Sequence, residues 1–206
     1  MPVILVANPK GGVGKSTVST NLCGYFAWSG CATLLGDLDK QQSALHWLRL
    51  RTENLPQIQS WEYGADNVAR PPKGVTHVVL DSPAGIHGQM LKGALKLADR
   101  VIVPLQASLF DIYATQAFLE KLAERGVTKD SGKCGVLGMR VDARTRAAEQ
   151  LHRFVEGLGF PVLGYLRDTQ NYIQLAAHGL TLWDVAPSRV QKDLDQWADL
   201  IRWVDE

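Results

Sequence analysis

Lys15 and Ser16 stand side by side, behind Gly11, Gly12 and Gly14 and a second lysine, Lys10. Residues 10–17 read Lys-Gly-Gly-Val-Gly-Lys-Ser-Thr and follow the apolar run Val3-Ile4-Leu5-Val6-Ala7. That is the phosphate-binding pattern G-x-x-x-x-G-K-[ST], with Pro9 where its first glycine belongs and Lys10 after it. Glycines let backbone N–H groups approach an anion with no Cβ in the way. Successive N–H groups form an anion nest, and the helix that follows adds its free N-terminal donors and positive dipole end. Gly11, Gly12, Val13 and Gly14 are therefore expected to wrap phosphate. Lys15 is expected at the β- and γ-phosphates, the Ser16 hydroxyl on Mg²⁺, and Thr17 near the α-phosphate. The chemistry expected of this set is binding of a nucleotide's phosphates with magnesium.

Hydrolysis also needs acids. Val78-Val79-Leu80-Asp81 is an apolar strand ending in a carboxylate, which at the C-terminal edge of a parallel sheet sits beside the phosphate loop. Ser82-Pro83-Ala84-Gly85 follows, a stiff turn suited to sensing the γ-phosphate. Asp37 and Asp39 end the preceding strand two residues apart, a spacing that turns both side chains the same way in extended chain. Both are expected to face the phosphates, one supporting Mg²⁺ and one orienting water. The bland alternative is that they cap the helix starting near Ser43.

These groups require a scaffold of alternating strands and helices. Probable strands are 3–7, 32–36, 75–80, 100–104, 134–139 and 162–165, nearly continuous apolar runs of the kind covered on both faces. Helical patterns fill 16–28, 43–51, 89–97, 113–125, 146–158, 173–178 and 190–204, with Gly30, Gly126 and Gly159 as stops. The expected fold is α/β: one P-loop domain over residues 1–206, a mostly parallel twisted sheet with helices on both faces. The segment 52–72 reads as a short strand and helix or as an irregular surface stretch. With 206 residues, 46% hydrophobic and 21% charged, the chain has enough apolar content for a sizeable core. A net charge of +1 predicts no partner from bulk electrostatics. Three scattered cysteines suit a reducing compartment and small buried roles. No leader peptide or membrane-length apolar run is expected.

Taken together, the motifs resemble those of the ParA/MinD ATPases over essentially the whole chain. Residues 10–17 resemble their deviant Walker A motif, Asp37-Leu38-Asp39-Lys40-Gln41 their D-x-D-P-Q segment, Asp81-Ser82-Pro83-Ala84 their Walker B and switch II, and Val103-Pro104-Leu105-Gln106 their V-P-x-Q strand end. The size is most similar to the short ParA partition proteins. The resemblance implies that Lys10 is a signature lysine reaching a partner's phosphates in an ATP-dependent homodimer. It implies that Ser16 and Asp81 hold Mg²⁺ and that Asp39 positions the attacking water. It implies partner-stimulated hydrolysis through a ParB-like or adaptor protein, non-specific DNA binding, and a cytoplasmic, nucleoid-associated role in positioning plasmid, chromosome or other cargo. Three departures stand out. Lys40 replaces a proline, Met139 and Arg140 replace an adenine-reading asparagine, and the C-terminal segment is acidic where a membrane anchor would be basic. The base contact is then expected from main chain around Arg167–Tyr172, and the last helix is expected to pack on the core rather than on a membrane.

Residues 121–170 carry nine basic and six acidic side chains, and Arg140, Arg144 and Arg146 are the first choices for phosphate contacts with DNA. Trp28 and Trp47 are expected in the core, while Trp61, Trp183, Trp197 and Trp203 include candidate exposed anchors, with packing the expected role for most of them. Rival readings are a MinD-like or other nucleotide-dependent switch, a P-loop phosphotransferase, and an iron–sulfur relative that would use Cys23 and Cys134.

Overall fold

The computed structural model describes residues 1–61 and 72–206. Seven strands pair in parallel: β1 Val3–Val6, β2 Thr33–Asp37, β3 Ile58–Trp61, β4 His77–Asp81, β5 Arg100–Gln106, β6 Cys134–Met139 and β7 Val162–Tyr165. Their order across the sheet is β3-β2-β4-β1-β5-β6-β7. The helices are α1 Lys15–Trp28, α2 Ser43–Leu50, α3 Gly88–Leu97, α4 Leu109–Ala123 and α5 Arg146–Leu158 among the strands, then α6 Gln170–Ala176 and α7 Pro187–Asp205 after β7. This is the expected α/β architecture.

Alternation along β1 shows how the sheet is covered. Val3, Leu5 and Ala7 enter one core with Leu91 of α3, Phe118 of α4 and Leu151 of α5. Ile4 and Val6 enter the other with Phe26 of α1, Trp47 of α2 and Trp197 of α7. Burial on both faces explains why these strands read as unbroken apolar runs. Cys23 and Cys134 fall in opposite cores and share no site.

β6 and β7 keep their expected bounds, whereas other ends move for local reasons. β5 runs on through Pro104 although it lies between β1 and β6. The last ladder bond from β1 is Ala7 N–H to the Ile102 carbonyl, and the Pro104 carbonyl instead accepts from the Asn8 side chain. Proline's missing donor therefore falls where β1 has already ended. α4 starts at Leu109, four residues early, because Ser108 caps it by accepting from the Asp111 N–H. α7 starts with Pro187 in its first turn. β3 supplies the strand foreseen within 52–72, and the remainder of that segment, 62–71, lies outside the described residues.

The tryptophans correct one expectation. Trp28 is 50% exposed, its indole N–H donating to Asp184 Oδ1. Trp61, Trp197 and Trp203 are buried and offer no anchor. Two of them, with Val190, Leu200 and Val204, form the inward face of α7. The C-terminal helix thus packs on the core, and no described helix is long and apolar enough to cross a membrane.

Candidate nucleotide site

The loop after β1 is stapled by side chains at its two flanks. Asn8, fully buried, donates through Nδ2 to the Pro104 carbonyl at 2.8 Å and to Thr115 Oγ1 at 3.0 Å. Its Oδ1 accepts the Lys10 N–H at 2.9 Å. From the end of β5, Gln106 Nε2 donates to the Gly12 carbonyl at 2.9 Å. Gly14 then precedes α1 at φ 94, a left-handed conformation, and a Cβ there would sit 2.6 Å from Met139 Cε. The left-handed backbone is what favours glycine there. Asn8 had no recognised role in the sequence; a polar residue wedged between a buried strand and Pro9 was its one signal.

Lys15 is nearly buried and donates to the Lys10 carbonyl at 2.7 Å. Burial pulls its pKa down, opposed by Asp81 and Asp39. In the first turn of α1, Ser16 Oγ donates to Asp81 Oδ2 at 2.6 Å, and Ser19 Oγ, three residues on, donates to Asp81 Oδ1 at 3.0 Å. Ser19 is a further addition of the structure, on the same helix face as Ser16. Asp81 is 2% exposed, and burial pushes its carboxyl up to about 7 against the bond from Ser16, with Asp37 beside it adding to the rise. The hydroxyl of Ser82 is buried with no hydrogen-bond partner among the described residues and lines the same cavity as Ser16.

The acids of β2 separate in role. Asp37 is the strand neighbour of Asp81, but its Oδ1 accepts the Asp39 N–H and its Oδ2 accepts Ala44 N–H at 2.9 Å and Leu45 N–H at 3.3 Å. It caps α2. The expectation that both carboxylates face the phosphates is corrected, because the first-turn N–H groups of α2 claim the nearer one. Asp39 alone lines the cavity with the loop. The side chain of Val13 is buried, leaving its main chain for a ligand.

Two cavities meet at the loop. One, about 300 Å³, is bounded by Gly11, Gly12, Lys15, Ser16, Asp39 and Ser82. The other, about 320 Å³, is bounded by Met139, Arg167, Asp168, Thr169, Tyr172 and Ile173, and so includes the 167–172 segment expected to meet the base. Gly14, Thr17 and Arg140 line both. Arg140, at the junction of the two, has a left-handed backbone with φ 53. Arg144 is exposed and held by Asp142 through Nε and Nη2, both at 2.9 Å, and its guanidinium holds the Asp142 carboxyl down at about 2. Arg146 opens α5, also exposed. All three arginines are exposed.

The residues present fit magnesium and a nucleoside triphosphate. Ser16 and Asp81 offer hard oxygen donors, the glycine loop offers N–H groups, and a second chamber adjoins the cradle.

The family described as the CobQ/CobB/MinD/ParA nucleotide binding domain matches residues 4–182. The chain belongs to this family. It is 30% identical over 182 residues to the chromosome-partitioning ATPase Soj of Thermus thermophilus, covering 72% of this chain and 73% of that one. It is 29% identical over 184 residues to the maintenance of carboxysome distribution protein A of Gloeobacter kilaueensis, covering 87% and 83%. Among solved folds of the MinD/ParA family, a plasmid partition protein from Borrelia burgdorferi bound to AMPPNP superposes with TM-score 0.76 at 15% identity, covering 98% of each chain. The septum site-determining protein MinD from Pyrococcus horikoshii, complexed with Mg-ADP, superposes with TM-score 0.75 at 14% identity, over 100% of this chain and 96% of that one.

Proposed function

We propose that this chain is a ParA-type ATPase that binds ATP with Mg²⁺, hydrolyses it slowly alone, and positions a large cargo over DNA. The observation that carries the reading is the continuous site around Thr17 and Arg140: a phosphate cradle with the Ser16–Asp81 oxygen pair on one side and a chamber sized for a base on the other. Ser16 and Asp81 would hold magnesium, which supplies charge neutralisation on the phosphate oxygens. Lys15, on leaving the Lys10 carbonyl, would neutralise the β- and γ-phosphates, and Asp39 would orient the attacking water. Lys10, on the same loop, serves the second site of an ATP-dependent homodimer. The dimer binds non-specific DNA, and a ParB-like or adaptor protein accelerates hydrolysis and release. The kinship with Soj and with the carboxysome distribution protein supports this reading over a metabolic one.

The test is retention on a DNA-coated surface. Purified protein is expected to bind with ATP and Mg²⁺, to leave as salt is raised, and to release phosphate slowly. Binding and hydrolysis of ATP with no nucleotide-dependent DNA retention would remove the positioning role and leave a nucleotide switch.

A further inference from the structure

One face of α7 reaches the wall of the base chamber from behind. Asp193, Gln196 and Trp197 are spaced to share that face. Asp193 is fully buried and accepts from Arg167 Nε at 2.5 Å, Arg167 Nη2 at 3.2 Å and Asn171 Nδ2 at 2.6 Å. Gln196 Oε1 accepts the Arg167 N–H at 2.9 Å. Trp197 Nε1 donates to the Tyr172 hydroxyl at 2.9 Å. The approach is close because β7 carries Gly164, where a Cβ would lie 2.9 Å from the Gln196 carbonyl.

These bonds converge on the segment that walls the chamber. Arg167, Asp168, Thr169 and Tyr172 line it, and Arg167 and Asn171 are the residues Asp193 holds. α6, which carries the far part of the wall, contributes no fully buried residue. Tyr172 and Leu175 pack in part against the core, and the polar ties to α7 add a second hold on the wall. Fixing a binding segment in advance removes its ordering cost from the binding step.

We propose that Asp193 is a positioning residue for the nucleotide: through Arg167 and Asn171 it sets the 167–172 segment as the wall of a nucleobase pocket. α7 then governs affinity for the base and ribose, while the loop after β1 governs affinity for the triphosphate. This rests on the nucleotide reading above.

The experiment compares the dissociation constants of Mg-ATP and of magnesium tripolyphosphate, which has no base, by calorimetry on the full chain. Wild type is expected to prefer ATP. Asp193→Asn is expected to weaken ATP about tenfold, the worth of hydrogen bonds to a buried charge, and to leave tripolyphosphate within about twofold. Tyr172→Phe, which loses only the Trp197 tie, is expected to shift ATP about threefold in the same direction. Equal weakening of both ligands, or no change in either, overturns the proposal. Tripolyphosphate binding as tight as ATP in wild type overturns it while leaving the phosphate cradle standing. Wild type binding neither removes the nucleotide reading and this one with it. If Asp193→Asn does not fold, Asn171→Ser and Tyr172→Phe carry the same comparison.

Discussion

Ser16 Oγ lies 2.6 Å from Asp81 Oδ2, joining the first turn of α1 to the end of β4. Two elements 65 residues apart in sequence are brought to one hydrogen bond, and that bond marks where a hard cation belongs. Ser16→Ala and Asp81→Asn are each expected to abolish the gain in ATP affinity that Mg²⁺ gives, a loss of about tenfold or more, leaving binding in EDTA nearly unchanged. Titration with a fluorescent ATP analogue, with and without Mg²⁺, reads this directly.

Lys10 is held by its main chain alone in the contacts described above, its N–H to Asn8 and its carbonyl to Lys15. Lys10→Gln preserves both, so ATP affinity is expected to stay within about threefold of wild type while ATP-dependent self-association disappears. Sedimentation velocity with and without ATP distinguishes the two effects. A Lys10→Gln dimer of unchanged strength refutes the cross-dimer role.

The arginines after β6 are expected to divide by task. Arg140→Ala should weaken ATP binding, because that residue lines both cavities. Arg144→Ala and Arg146→Ala should leave ATP binding alone and lower DNA retention uniformly across sequences, each reducing the salt slope by about one. Filter binding over a salt series, paired with nucleotide titration, separates them.

Arg51 and Asp184 form an ion pair at 2.7 Å whose side chains are 4% and 0% exposed. Breaking a buried pair strands a charge, so Asp184→Ala is expected to cost about 3–5 kcal/mol at neutral pH by urea denaturation. Burial by itself drives the Asp184 carboxyl up, but bonds from Arg51, Trp28 and Thr181 more than offset this and hold it below 3.8. A lowered folded pKa stabilises above the unfolded value and is lost as pH falls through the folded one. The gap between wild type and variant should therefore be full at pH 7 and narrow below about pH 4.

Gly24 lies mid-helix in α1, where sequence alone recommends alanine. A Cβ there would stand 2.3 Å from Thr181 Oγ1. Gly24→Ala is expected to destabilise by about 1–3 kcal/mol despite its better helix propensity, and Thr181→Gly in the same chain to recover part of the loss. Thermal unfolding of the single and double variants checks the sign.

Much of this molecule was legible in its residues taken in order. The bounds of β6 and β7, the loop of residues 10–17 and the acid at the end of β4 all follow from local pattern. Such patterns act through near neighbours: an apolar run favours extended chain, glycines free the backbone, and an acid after a buried strand emerges at the sheet edge. What the sequence left open was the destination of individual side chains. Asp37 and Asp39 share a local environment, yet Asp37 caps α2 because Ala44 and Leu45 present free N–H groups to it, and only Asp39 is left to the cavity. Asn8 and Asp193 have no motif, and their hydrogen bonds run to β5 and α4 and to the loop after β7 and α6. Chain order sets the backbone state at each position, but a polar side chain goes to whichever unsatisfied partner packing brings within reach, and tertiary structure alone decides that.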